Sequence, residues 1–307
     1  MGHHGHDHTA SERDGNRRAL AVVLVLTASF TVVEVIGGLL TGSLALLADA
    51  GHMLSDNFSL GVALFAAWLA GRPATPEKSF GYRRAEILAA LANGMTLVAI
   101  SVWIFIEAYT RLREPAEVLG GPMLAVATLG LLVNAAGATI LYRSGGENLN
   151  MEGALRHVVA DALGSVGAMA AAATIILTGW RYADPLVSVA IGFLILGSSW
   201  KLLRDSTNIL LEATPRGLNA GEVGQKMAAA DGIVEVHDLH IWTITSGFPA
   251  LSAHVLVGRH EDCHARRREL EELLTNEYGI SHTTLQVDHV GDHHSTFQTL
   301  RFPSRLD

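Results

Sequence analysis

Charge is scarce along this chain. Asp, Glu, Lys and Arg make up 17% of its 307 residues, where a soluble domain carries roughly a quarter. Meanwhile 49% of residues are hydrophobic and the mean hydropathy is +0.30. That balance excludes an ordinary soluble globule and points to a membrane protein with a soluble part. Cysteine is nearly missing: Cys263 stands alone, so no intramolecular disulfide can form and nothing marks an oxidising compartment. Basic residues are outnumbered, with a net charge of -8, so there is no cationic footprint for nucleic acid. The N-terminal MGHHGHDHTASERDGNRR lacks the charged, apolar, then small-residue order of a signal peptide, and the first apolar segment is expected to persist as a helix.

Long apolar runs are what the chain does have. A spanning helix needs about 20 mostly apolar residues. Six segments qualify, at about 19–40, 44–70, 84–109, 122–143, 153–179 and 183–203, the last able to run on to Leu211. Their separators are short and nearly all carry Gly or Pro. Lys and Arg fall unevenly between the two sets of loops. Arg17, Arg18, Arg72, Lys78, Arg83, Arg84, Arg143, Arg156, Lys201 and Arg204 lie on one side, and Arg111, Arg113 and Arg181 on the other. The positive-inside rule then places both termini in the cytoplasm.

After Leu211 the pattern becomes that of a soluble domain. Residues 220–230 read as a helix, 234–244 and 249–257 as strands joined by SGF, 261–279 as a charged amphipathic helix and 282–290 as a third strand. The order αββαβ predicts a small α+β domain over 212–290 with helices on one sheet face. Residues 1–18 form a His-rich tail, and 291–307 read as a mobile tail without periodicity.

Histidine placement carries the chemistry. Of 15 histidines, only His52 and His157 fall within the apolar segments, and each is followed four residues later by an aspartate, in HMLSD and HVVAD. Spacing i, i+4 sets both side chains on one helix face. Two such helices facing each other offer two imidazoles and two carboxylates, a tetrahedral complement suited to Zn²⁺. Each pair taken alone also fits a structural hydrogen bond. Against that reading, an ionisable residue at the bilayer centre costs roughly 2.5–3.5 kcal/mol, and the pair occurs twice.

With these features the chain resembles the cation diffusion facilitators, most of all their zinc-transporting branch. The resemblance rests on GSLALLADAGHMLSD, FGYRRAEILAALANG, ALRHVVADALGSVGA, ADPLVSVAIG, VHDLHIWTITSG and LSAHV. It implies a homodimer in a lipid bilayer, the bacterial inner membrane, with six helices per protomer and a ferredoxin-like cytoplasmic domain. It also implies proton-coupled export of divalent metal by alternating access. His52, Asp56, His157 and Asp161 match the family's transport site, and His at the first position is the family pattern for zinc and cadmium. Imidazole titrates near pH 6.5 and must be neutral to bind metal, so protons and Zn²⁺ compete for such a site. His157 or His52 is then the expected carrier of the exchanged proton.

Other positions are less decided. Asp49, on the same face as His52, reads as a partner that orients the ring, as a proton relay, or as a rim acid that meets water. Asn57 and Asn93 are candidates for supporting the ligands or for bonding a neighbouring helix. Glu34, Glu107 and Asp184 are acids without an evident partner in the sequence. Where some family members carry a second site with two histidines, this chain has Lys78 and Tyr82, so that site is expected to be absent. Arg84 and Glu212 match a charge pair between the third helix and the base of the soluble domain. His237, His254, His264 and Asp288 match cytoplasmic zinc positions of some relatives, with Gln286 where another His is common. His240 is a substitute, since strand alternation puts it on one face with Asp238, and Cys263 is a further soft ligand. Regulatory zinc is expected there, and HHGHDH reads as a metal-capturing tract.

Two rival functions fit the sequence less well. An intramembrane zinc metallohydrolase wants an open coordination position and a general-base Glu, as in H-E-x-x-H; neither HMLSD nor HVVAD has one. A membrane-bound metal sensor gives no purpose to polar groups at membrane depth.

Overall fold

The computed structural model describes residues 7–143, 149–290 and 301–303. It divides into two compact units, residues 1–63 with 92–202, and residues 64–91 with 203–307.

The first unit is built on six long helices: α1 Asp7–Thr41, α2 Leu44–Ala70, α3 Ala85–Arg113, α4 Gly120–Arg143, α5 Leu149–Thr178 and α6 Ala183–Leu210. Five contain stretches long and apolar enough to cross a membrane. α2 is the sixth helix, 27 residues long, and carries Asp49, His52, Asp56 and Asn57 within its apolar run. Large apolar side chains such as Val25, Leu39, Phe58, Phe193 and Trp200 are exposed, as lipid-facing groups are. The chain is an integral membrane protein. α1 begins at Asp7, earlier than the expected start near residue 19; His3, His4 and His6 lie outside the described residues, and nothing is described of the His8 side chain.

Small residues set the helix register. The buried face of α4 is Gly120, Met123, Ala127, Gly130, Asn134, Gly137 and Leu141, one stripe of period three to four. Gly120 meets Ile175, Gly130 meets Ser165, and Gly137 meets Val158 along antiparallel α5. A side chain at Gly130 would collide with Phe30 of α1 at 2.8 Å, so close approach of three helices depends on its absence. The same register sets Asn134 opposite Asp161.

The α1–α2 corner is held by Asp184 of α6. Its carboxylate accepts hydrogen bonds from Ser43 Oγ (2.6 Å) and the backbone N–H groups of Leu44 (2.9 Å) and Ala45 (3.1 Å). It therefore caps the N-terminus of α2, where a negative charge also meets the helix dipole. Arg111 lies 3.6 Å from Asp184, and its Nε donates to Glu107 at 2.8 Å. The partners that the sequence does not reveal for Glu107 and Asp184 are thus found on neighbouring turns and helices.

In the second unit, α7 Ala220–Ala228, β1 Ile233–Thr245, β2 Phe248–Val257, α8 Cys263–Tyr278 and β3 His282–His289 follow the expected αββαβ order. Asn219 caps α7 through its side-chain oxygen, and Asp262 caps α8. Backbone N–H groups of Ala265 and His264 hold the Asp262 carboxyl below its ordinary range. β1 and β2 form an antiparallel hairpin turned by Ser246 and Gly247, the latter at φ 72°. β2 and β3 are parallel, with α8 as crossover. The core is Val223, Met227, Val236, Ile241, Val255, Leu270 and Leu274 with their neighbours.

A fourth strand, β4 Arg301–Pro303, corrects the reading of 291–307 as a mobile tail: it pairs antiparallel with β1, giving the order β3-β2-β1-β4. Phe302 is the reason, because its ring packs on the core where Gly224 of α7 leaves room. The remainder of that tail lies outside the described residues.

Candidate metal centre

α2 and α5 bring their His–Asp pairs together. His52 Nε2 lies 3.4 Å from Asp56 Oδ2, His157 Nε2 lies 3.3 Å from the same oxygen, and His157 Nε2 lies 3.6 Å from Asp161 Oδ2. The two rings sit edge to face with centroids 6.0 Å apart. A tetrahedral Zn²⁺ with N and O ligands near 2.0–2.1 Å would hold them about 3.3–3.4 Å from one another. The observed separations are of that size. Among the described residues, one set of three His, Cys, Asp or Glu has every ligand atom within 4.8 Å of the others: His52, His157 and Asp161. Asp56 stands outside that set but meets both imidazoles, at 3.4 Å from His52 and 3.3 Å from His157.

Burial is graded across the site. The Asp161 side chain is 1% exposed and His157 46%. A cavity of 390 Å³ reaches His157, Asp56 and Asp161 and continues past Thr27 and Ala154 to Leu20, toward the end of the bundle that carries the chain's N-terminus. At the other end Thr41, Ser43, Leu44 and Ala45 are buried around Asp184.

The supporting residues behave differently from one another. Asn57 donates to Thr31 Oγ1 (3.3 Å) and Asn93 accepts from Ser55 (2.8 Å), so both tie α2 to a neighbouring helix. His52 Nδ1 is buried without a partner, so Asp49 does not orient that ring. Nor does Asp49 meet water: it is 3% exposed. Asn134 is a residue the sequence reading missed. It is 1% exposed with both amide atoms unpartnered, as is Asp161 Oδ1, and the α4–α5 register places the two residues opposite each other. A lone Asn in an apolar helix gave no signal of which residue it faces.

The cytoplasmic candidates form a looser group. Asp238 takes a left-handed backbone, φ 53°, at a bulge where three steps of β1, His237 to His240, pair with two of β2, His254 to Ser252. Its carboxylate lies 3.0 Å from His240 Nε2 and 3.8 Å from His254 Nε2, and the His237 and His254 rings are 5.5 Å apart. Asp288 accepts from Gln286 (2.8 Å) on β3. His264 is in the first turn of α8, behind the Asp262 cap. Cys263 contacts His289, with Sγ 3.6 Å from Nε2. Arg84 does reach Glu212, at 2.8 Å, though both side chains are substantially exposed. In the loop before α3, Lys78 Nζ lies 4.0 Å above the Tyr82 ring.

Residues 20–211 match the family model for the cation efflux transmembrane domain, and residues 215–290 that for the cation efflux protein cytoplasmic domain. The chain is 43% identical to the cadmium, cobalt and zinc/H(+)-K(+) antiporter of Bacillus subtilis, over 94% of each protein. It is 40% identical to the metal cation efflux system protein CzcD of Cupriavidus metallidurans, over 93% of this chain and 89% of that one. It is 42% identical to the zinc transporter ZitB of Escherichia coli, over 93% and 92%. The metallohydrolase and sensor readings find no support among these proteins. Two His–Asp pairs meeting inside a helix bundle thus fall in a chain that the two models cover between residues 20 and 290: it belongs to the cation efflux family, which is made of metal transporters and not enzymes.

Proposed function

We propose that this protein exports Zn²⁺, and Cd²⁺ with it, from the cytoplasm in exchange for protons, with His52, Asp56, His157 and Asp161 as the four ligands of the metal in transit. The observation that carries this reading is the chain of three His–Asp contacts at 3.3–3.6 Å that joins two imidazole Nε2 atoms and two carboxylates across α2 and α5. Imidazole nitrogen favours Zn²⁺-type ions over Mg²⁺ and Ca²⁺, which prefer all-oxygen shells. The names of the B. subtilis and E. coli relatives, which specify zinc, agree.

Metal enters as substrate through the cavity on the Leu20–Ala154 side, taken as cytoplasmic from the Lys and Arg distribution. Binding requires neutral His52 and His157, so metal displaces their protons and protonation displaces metal. The side chain of Asp161 is nearly sealed within the bundle while His157 faces the cavity, so the metal meets His157 and Asp56 before it is fully enclosed. The protein works as a homodimer in the bacterial inner membrane, with both termini cytoplasmic. His237, His240 and His254, gathered around Asp238, bind regulatory zinc, with His264 and Asp288 as further ligands, and the N-terminal HHGHDH collects metal near the cytoplasmic mouth.

The test is transport into proteoliposomes across a panel of Zn²⁺, Cd²⁺, Co²⁺, Ni²⁺, Mg²⁺ and Ca²⁺, for the wild type and Asp161→Ala. Zn²⁺ and Cd²⁺ are expected to accumulate against a pH gradient in the wild type alone. Equal transport by Asp161→Ala, or transport of Mg²⁺ and Ca²⁺ in preference to Zn²⁺, would refute the reading.

A further inference from the structure

One pair of buried acids is left over by the four-ligand site. Glu34 of α1 is fully buried and Asp49 of α2 is 3% exposed. Asp49 lies against α5 at Gly164, where a Cβ would come within 2.6 Å of its Oδ1; only glycine admits the carboxylate there. Gly38 of α1 packs on Leu47 of α2, and Asn57 of α2 donates to Thr31 of α1; between these two contacts the helices set Glu34 and Asp49 at neighbouring levels of their interface. Yet among the described residues neither oxygen of Glu34, nor Oδ2 of Asp49, is met by a donor, and neither residue forms a hydrogen bond or ion pair with the four ligands.

Two ionised carboxylates are both acceptors only and cannot hydrogen-bond to each other. Buried side by side with no cation, they would carry a desolvation cost and a repulsion that nothing nearby offsets. One added proton removes both difficulties: one acid becomes an O–H donor and the other its acceptor. The charged or titratable groups that face the pair are few. Asp161 on α5 lies three residues before Gly164, against which Asp49 packs, and beyond it stand His157, His52 and Asp56. α4 contributes the uncharged Asn134 at the level of Asp161.

We infer that Glu34 and Asp49 together form a proton-binding site, separate from the metal ligands, that is protonated when the transport site is empty and deprotonated when a divalent cation occupies it. The inference rests on the efflux reading and names its counter-ion's seat. A dication beside Asp161 adds positive charge one helix turn from the pair and favours loss of its proton; departure of the metal restores the proton. The proton breaks from one carboxyl oxygen and passes to water on the side then open, so each cycle moves it opposite to the metal. Asp49 lies one turn nearer than His52 to the α1–α2 end, which places the pair on the far side of the transport site from the cavity.

The experiment uses the full chain reconstituted in lipid. In the wild type, infrared difference spectra on adding Zn²⁺ should show loss of the carbonyl stretch of a protonated carboxylic acid, reversed by a chelator. That band should vanish from the spectra of Glu34→Gln and Asp49→Asn and survive, shifted, in Glu34→Asp. Glu34→Gln should change Zn²⁺ binding by less than about tenfold, below the range of a residue bonded to a ligand. It should nevertheless lose accumulation driven by a pH gradient by at least about tenfold, with Glu34→Asp partly restoring it. An unchanged carboxylic acid band in the wild type on Zn²⁺ addition overturns the inference without recourse to any variant. So does pH-driven accumulation retained in both Glu34→Gln and Asp49→Asn, or accumulation that follows a potassium gradient and ignores pH. A wild type that accumulates no Zn²⁺ under a pH gradient contradicts the efflux reading itself.

Discussion

His52–Asp56 and His157–Asp161 stand on helices, while His237, Asp238, His240 and His254 stand on two strands of a hairpin. On α2 and α5 the i, i+4 spacing is fixed by the helix itself, so each pair arrives preassembled and the fold has only to bring two helices together. On the strands, the set exists through cross-strand register and a bulge that turns Asp238 into a left-handed backbone. In the helical set three His–Asp contacts of 3.3–3.6 Å link the four side chains; the strand set spreads from 3.0 to 3.8 Å about one carboxylate and leaves His240 exposed. Preassembled on two helices, with Asp161 sealed and His157 open to the cavity, the first set suits the proposed cargo site. Open and strand-borne suits a site that senses metal in the cytoplasm.

That contrast can be broken at its strong end first. Replacing His157 or Asp161 with Ala should lower zinc transport by at least about a hundredfold, beyond what loss of an outer partner causes. His240→Ala and His254→Ala should each change the transport rate in metal-saturated vesicles by less than about tenfold. Comparable losses in the two groups would erase the distinction. Asn134→Ala removes an amide that makes no hydrogen bond to any of the four residues, and should change zinc binding by less than about tenfold, below the loss of a partner bonded to a ligand, read by titration of the full chain with a competing chelator.

Smaller effects should separate packing from surface charge in the second unit. Phe302→Ala removes a ring seated on Gly224 and the sheet core, and should destabilise that unit by about 1–3 kcal/mol, less than for a fully buried Phe, visible in thermal unfolding of the full chain. Arg84→Ala should cost under about 1 kcal/mol, because the Arg84–Glu212 pair is exposed. At Asp262 the lowered carboxyl means that its contribution is present above the ordinary carboxylate range and is lost as pH falls through the lowered value. Asp262→Asn should therefore flatten the acid side of the stability profile while the cap itself remains.

Much of this could be read in the sequence, and what could not has a common cause. The two His–Asp pairs were visible because helix periodicity keeps both members on one segment. Glu34 looked partnerless because Asp49 is on another helix, and no spacing rule links α1 to α2. Asn134 was silent for the same reason: its position opposite Asp161 follows from glycine contacts between α4 and α5. The strand alternation that paired Asp238 with His240 named the right neighbours, but a bulge, not regular pleating, sets their contact, and His254 enters only through register with β2. β4 was missed because a three-residue strand anchored by one Phe has no period to detect.

X-ray absorption of zinc bound to the full chain tests the central claim most directly, carried out on the His240→Ala/His254→Ala variant to lower binding outside the membrane. The account predicts a four-coordinate shell of two imidazole nitrogens and two carboxylate oxygens at about 2.0–2.1 Å, abolished by Asp161→Ala. A sulfur in the shell, or six oxygens without imidazole, would contradict it.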